Sequence, residues 1–190
     1  MPRIPLPSPE TMDAAQRAVH DRVVNGPRGQ LRGPLRAALH NAELADRWQA
    51  LGELLRYRTG LPPRLSELAI LVTGQACQSP FEWHAHRAEG EKAGLEAALM
   101  DALQAGIEPP GIAGDDALVW AFARELNAHN SVSDATYAAA LARFGARTVV
   151  ELTALVGYYT MVAMTLNAHE IPLPEGVVPA FPLPQRGALK

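Results

Sequence analysis

The chain has 190 residues, 48% hydrophobic and 19% charged, with a net charge of −3. That balance suits one globular domain, is too apolar for a disordered chain, and leaves no basic surface to neutralise nucleic-acid phosphates. A single cysteine, Cys77, excludes an internal disulfide framework, a thiolate zinc cluster and a two-cysteine redox couple within one chain.

The opening MPRIPLPSPE holds no apolar run of signal-peptide length, so a cytoplasmic protein is expected. Ser8–Pro9 reads as cap and first position of a helix reaching about Val24, followed by the turn NGPRG. A short helix is expected from Pro34 to His40. Asn41 then caps a longer one, with Leu44, Trp48, Leu51 and Leu55 recurring on one face. After TGLPP a strongly apolar helix runs from Arg64 to about Gln78. Ser79–Pro80 opens the next, which Gly94 closes, and a short helix lies around LEAALMDAL. The loop GIEPPGIAGDD separates two halves of the chain. Three helical stretches follow: DALVWAFARELNAH, then DATYAAALARF capped by Ser133, then the long run from Ala146 to His169.

No segment alternates with period two, so the expected fold class is all-α. One domain is expected over residues 1–190, with extended arms at 1–8 and in the Pro-rich tail at 172–190. Val149 to Ala168 has the length of a membrane span. Glu151, the Tyr158–Tyr159 pair and the lack of a flanking cluster of basic residues favour a buried core or interface helix instead. The helices opened by Arg64 and Arg147 share a Glu-Leu…Leu-Val pattern, and the longer stretch that each begins ends in Ala-His, at His86 and His169. Tandem duplication and convergent core composition explain this equally well.

The chemistry-bearing residues concentrate in CQSPFEWHAH, residues 77–86. Ser79-Pro80-Phe81-Glu82 fits a capping box, in which Glu82 reaches back to the Ser79 N–H. Glu82 and His86, at i and i+4, also share a helix face and can hydrogen-bond. Glu67 lies in a helix apolar nearly all round, where a carboxylate needs a partner, and Arg64 at i−3 is one candidate. Gly74, on the Glu67 stripe, leaves room for another group to approach closely. If the two helices pack, Glu67, Glu82 and His86 converge in an apolar setting suited to acid–base chemistry. His84 and His86 point about 200° apart on a helix, which leaves too few ligands on one face for zinc, so no metal is expected. Cys77, near a helix C-terminus, reads as an ordinary buried thiol.

The stretch RYRTGLPPRLSELAILVTGQACQSPFEWHAHRAEGEKAGL resembles the carboxymuconolactone decarboxylase family, which includes the alkylhydroperoxidase D-like proteins. The cues are L-P-P-R-x-x-E-L-A-I-L, F-E-W-x-x-H and A-G-L, with G-P-L-R-A-A-L-H-N and V-G-Y-Y-T-M-V-A-M-T-L-N-A as long-chain features. The resemblance covers about residues 25–175 and implies an all-helical fold assembling into homo-oligomers (trimer, hexamer or dimer). In the peroxidase branch a glutamate, a C-x-x-C pair and a histidine form a relay. By position these fall on Glu67, Ser79, Glu82 and His86, so the acid–base groups are kept and both sulfurs are lost. The decarboxylase branch therefore fits better. It implies cofactor-free loss of CO2 from a small carboxylated lactone or related aromatic-degradation acid. His86 is then the expected general acid/base, oriented by Glu82, with Glu67 as a second proton-transfer group. His40, Arg58, Cys77 and His84 are candidates for contacting the substrate. A peroxidase-like reductase using Cys77 with an external thiol, and a catalytically silent helical oligomer, are the competing readings.

Overall fold

The computed structural model describes residues 1–182. Among them are eight helices and no strand: α1 (Ala14–Asn25), α2 (Pro34–Ala38), α3 (Ala42–Tyr57), α4 (Pro63–Ala76), α5 (Pro80–Lys92), α6 (Ala97–Gln104), α7 (Gly114–His129) and α8 (Asp134–His169). The fold is all-α, as the periodicity predicts. Helix α4 is the axis of the molecule. Every residue from Leu65 to Gly74 is buried, and α5, α7 and α8 pack around it. A helix apolar on all sides has no face to offer water, so it must be surrounded.

The first helix begins later than Ser8–Pro9 suggests. The Ser8 N–H donates to Thr11 Oγ1, its hydroxyl donates to Glu10, and its carbonyl accepts from Thr11 and Met12. This local turn competes with helix, and α1 starts instead at Asp13, in a reciprocal capping box with Gln16. Asn41 caps α3 as expected, accepting from Leu44 N–H at 3.0 Å. The apolar stripe of α3 splits, however: Trp48 and Leu55 are buried beside Ala45 and Gly52, whereas Leu44 and Leu51 face outward. The small residues win the inner face because bulky groups already occupy that space. A Cβ on Gly52 would collide with the Tyr158 hydroxyl and the Arg28 guanidinium.

Helix α8 is two helices joined end to end, bent at Gly145 with φ +77 and ψ 163. Ser133 caps the first, accepting from Thr136 N–H at 3.4 Å. By length and composition α8 could cross a membrane, and half of its most apolar window is buried in the protein. The two sequence-similar helices have different roles. Glu151 of α8 accepts the Gly60 N–H at 2.7 Å and pairs with Arg147, while Glu67 of α4 turns inward.

Both ends of the described residues lie against the helices. Arg3 N–H donates to the His169 carbonyl at 2.9 Å, and Arg36 reaches the Leu6 and Pro7 carbonyls. At the other end the Phe181 ring meets Trp83 edge-on, and Gln104 Nε2 donates to Ala180 O at 3.3 Å. Residues 183–190 of the expected C-terminal arm lie outside the described residues.

Candidate active site

The site is built by the connection between α4 and α5. Cys77 ends α4 with its N–H on the Thr73 carbonyl, and Gln78 turns the chain through a left-handed conformation at φ +47. Ser79 N–H then returns to Gly74 O at 2.9 Å, and Pro80 starts α5 with its fixed φ. The two helices are thereby folded against each other. At Gly74 the missing side chain lets the first turn of α5 close in: a Cβ there would sit 3.5 Å from Glu82 Cβ. One turn beyond Glu82 on α5, His86 meets Glu67 of α4.

Their ring and carboxylate are 2.6 Å apart, His86 Nδ1 to Glu67 Oε2, and both residues are buried. On the far side of the ring, His86 Nε2 lies 3.5 Å from Glu82 Oε2. The three groups form a line, Glu67–His86–Glu82. The capping box expected at Ser79 is absent. Ser79 makes no side-chain cap, its hydroxyl is buried without a partner, and Glu82 points at the imidazole. The orienting partner of His86 is also Glu67 rather than Glu82, since only the shorter contact is a hydrogen bond. Nor does Arg64 neutralise Glu67; it pairs with Asp116 at 2.6 Å.

Three groups outside the predicted set complete the site. Arg56 Nη2 lies 3.8 Å from Glu67 Oε1. The Tyr159 ring meets His86 edge-on, with centroids 4.9 Å apart, and Tyr158 in turn meets Tyr159 edge-on at 5.3 Å. Burial pushes the Tyr159 phenol well up, despite the opposing Arg56 charge, so it remains a neutral wall. Burial likewise pushes the Glu82 carboxyl up, outweighing the His86 and Arg56 charges. Glu82 Oε2 has no hydrogen bond, and a buried carboxylate left that way tends to keep its proton.

This gives a testable sign. The folded pKa of Glu82 is above its unfolded value, so its contribution to stability is fully present below the unfolded value. It is lost as pH rises through the folded one. Glu82→Gln removes the ionisable group, and the variant gains stability over the wild type steadily toward alkaline pH in urea titrations. Parallel pH profiles for the two proteins would refute the protonated assignment.

A cavity of about 260 Å³ opens onto Glu67 and Arg56, with Tyr57, Ser66, Glu89 and Lys92 among its lining residues. The end of the relay facing this cavity is thus Glu67, beside Arg56, while Lys92 on the same wall pairs with Glu89 at 2.8 Å. The larger cavity, about 470 Å³, lies at the tail beside Phe81, Leu166 and Ile171 and touches none of the three relay residues.

The remaining predicted contacts are not gathered here. His40 is exposed and its Nε2 donates to the Pro5 carbonyl at 2.7 Å, which ties down the N-terminal arm. Arg58 lies past the α3 core stripe and pairs with Glu53 at 3.4 Å on the surface. His84 points away from His86 and lines a separate surface cavity with Trp83 and Arg87. Cys77 is half-buried, and burial pushes its thiol up against the weaker effect of Thr160. Among the described residues, no group of three His, Cys, Asp or Glu is placed to hold a metal ion.

Residues 42–124 match the family model described as "Carboxymuconolactone decarboxylase family". This segment, under half of the chain, is similar to a carboxymuconolactone decarboxylase core. It contains α3 to α5, and hence Arg56, Glu67, Glu82 and His86. No curated protein matches the sequence. Among solved structures, the chain is similar to an uncharacterized peroxidase-related protein from Silicibacter sp. TM1040, with TM-score 0.74 and 14% identity. The match covers 90% of this chain and 91% of that one. At that identity the likeness establishes the fold alone, across nearly the whole chain.

Proposed function

We propose that this protein is a cofactor-free acid–base enzyme of the carboxymuconolactone decarboxylase type, acting on a small carboxylated lactone or related acid. The observation that carries the reading is the Glu67–His86–Glu82 line, closed at one end by a buried acid and open at the other to a cavity flanked by Arg56 and Lys92. Arg56 holds the substrate anion in the cavity and stabilises the negative charge that develops on the lactone oxygen. As the carbon–carboxylate bond breaks and CO2 leaves, the electron pair moves into the conjugated enol-lactone. Glu67 is the group in contact with the substrate and passes to the carbon a proton drawn through His86 from the buried Glu82 acid; water entering the emptied cavity returns a proton to Glu82 along the same line before the next turnover. Sequence order suggests His86 as the contacting residue, but the cavity favours Glu67.

The test is a panel of carboxylated five-membered lactones, followed by CO2 release and by deuterium incorporation at the protonated carbon. Turnover of none of them at millimolar concentration, with no binding beside Arg56, would sink the proposal. Cys77→Ser separates it from thiol chemistry. With the thiol pushed up by burial, and with Ser79 and Glu82 where a dithiol pair would stand, turnover of the active lactone stays within a factor of about two. Peroxide consumption abolished by the same substitution would point to a reductase.

A further inference from the structure

The cavity beside Glu67 carries a second carboxylate, Glu89, that the relay does not use, and it narrows the choice of ligand. Three helices build the walls. Arg56 and Tyr57 come from α3, Ser66 and Glu67 from α4, and Glu89 and Lys92 from α5. On α5, the spacing of Glu82, His86 and Glu89 puts all three on one face, with Glu89 a turn beyond the imidazole. The volume of about 260 Å³ lies just below the roughly 300–1,000 Å³ of sites for drug-sized molecules, so it suits a ligand of about one ring.

The polar groups are layered by depth. Arg56 and Glu67 form the floor, with side chains 19% and 11% exposed, whereas Glu89 and Lys92 stand at the mouth, 41% and 71% exposed. The floor holds a cation that the protein does not saturate. Arg56 Nε is buried without a hydrogen-bond partner, and the Nη2 contact with Glu67, at 3.8 Å, is longer than a hydrogen bond. That guanidinium is placed to take a carboxylate. The mouth is the reverse. Lys92 Nζ donates to Glu89 at 2.8 Å, and this bond holds the Glu89 carboxyl below the usual carboxylate range, against the opposing effect of burial. Lys92 is thereby occupied, and the group at the mouth that faces a ligand is a hydrogen-bond acceptor.

Charge then separates the ligands. The walls carry two formal positive charges, Arg56 and Lys92, and two negative, Glu67 and Glu89. One ligand carboxylate is matched by Arg56. A second, at the far end of the same molecule, meets Glu89 with no uncommitted cation beside it, and like charges repel. A hydroxyl at that end instead donates to Glu89 in a charge-assisted hydrogen bond. Both members of the Lys92–Glu89 pair are exposed, so sharing Glu89 with a ligand costs little.

We infer that the cavity selects a one-ring monocarboxylate with a hydroxyl opposite its carboxylate, Arg56 binding the carboxylate while Glu89 accepts the hydroxyl and turns dicarboxylates away. This rests on the reading that the cavity is the acid's site, and adds the substrate class.

Isothermal titration calorimetry on the full chain at neutral pH, with benzoate, para-hydroxybenzoate and terephthalate as probes, tests it. Para-hydroxybenzoate binds about fivefold tighter than benzoate and terephthalate about fivefold weaker. Glu89→Gln removes the repulsion and frees Lys92, so terephthalate becomes the tightest of the three. Lys92→Gln leaves the wild-type order in place. Arg56→Met weakens all three by about tenfold. Circular dichroism verifies that each variant is folded. Suppose all three bind through Arg56, but terephthalate matches para-hydroxybenzoate on the wild type, or Glu89→Gln leaves the order unchanged. The inference is then overturned and the cavity remains an acid's site. Binding of none of the probes, or binding indifferent to Arg56→Met, overturns both.

Discussion

Replacing His86 with asparagine lowers kcat/KM on the active lactone by on the order of 10²- to 10⁴-fold, the usual contribution of a positioned acid–base group. Asparagine keeps a polar side chain near Glu67 but cannot relay a proton. In the wild type, Glu67 Oε2 is 2.6 Å from His86 Nδ1, and Glu82 waits 3.5 Å beyond Nε2. Cutting the middle of that line isolates the buried acid from the cavity, so Glu82→Gln added to His86→Asn costs almost nothing more. Groups acting as one unit are non-additive in this way. Glu67→Gln shows a comparable loss, since it removes the group at the cavity itself. A decrease below tenfold for His86→Asn, or independent effects of the two substitutions, would exclude a relay. Arg56→Met behaves differently: it raises KM more than it lowers kcat, because its cation serves anion binding as well as charge in the transition state.

The core of this site was legible in the sequence because two simple rules point the same way. A carboxylate in an all-apolar helix needs a partner, and i, i+4 spacing puts Glu82 and His86 on one face. The Ser79 motif misled for a physical reason. Pro80 and the left-handed Gln78 define the start of α5 through the backbone, which frees Glu82 for the interior. Arg56 was hidden by its neighbour Arg58, and its signal was the stripe of small residues on α3. Ala45, Trp48, Gly52 and Leu55 define the buried side, and Arg56 lies at its edge whereas Arg58 has passed the helix end. Tyr159 was visible only as a polar objection to a membrane span. The inward period of Leu152, Leu155, Val156, Val162 and Leu166 places it toward the core. What no local pattern could supply was the path of the N-terminal loop, which brings Arg28 to the Tyr158 hydroxyl at 3.5 Å.

Trp83→Ala destabilises the fold by about 3–5 kcal/mol, the cost of emptying a buried indole site, read from urea unfolding. Trp83 is 2% exposed, and its backbone N lies 3.8 Å from where a Cβ on Gly74 would sit, in the α4–α5 packing. Its ring also receives the buried Phe181 edge-on, with centroids 5.3 Å apart. The tail that looked like a loose arm is therefore held, up to Phe181, by the same side chain that seats α5. Prolines along the tail lower the entropy lost on docking, so one aromatic anchor suffices. Two consequences separate this from a general loss of core. Phe181→Ala costs less than Trp83→Ala, and the two together cost less than their sum, because both delete one ring contact. The tail after residue 172 also becomes cleavable by protease in each variant before global unfolding. Full additivity, or a tail that stays protected, would mean that the contact between the rings does not hold the tail and that α5 stands without it.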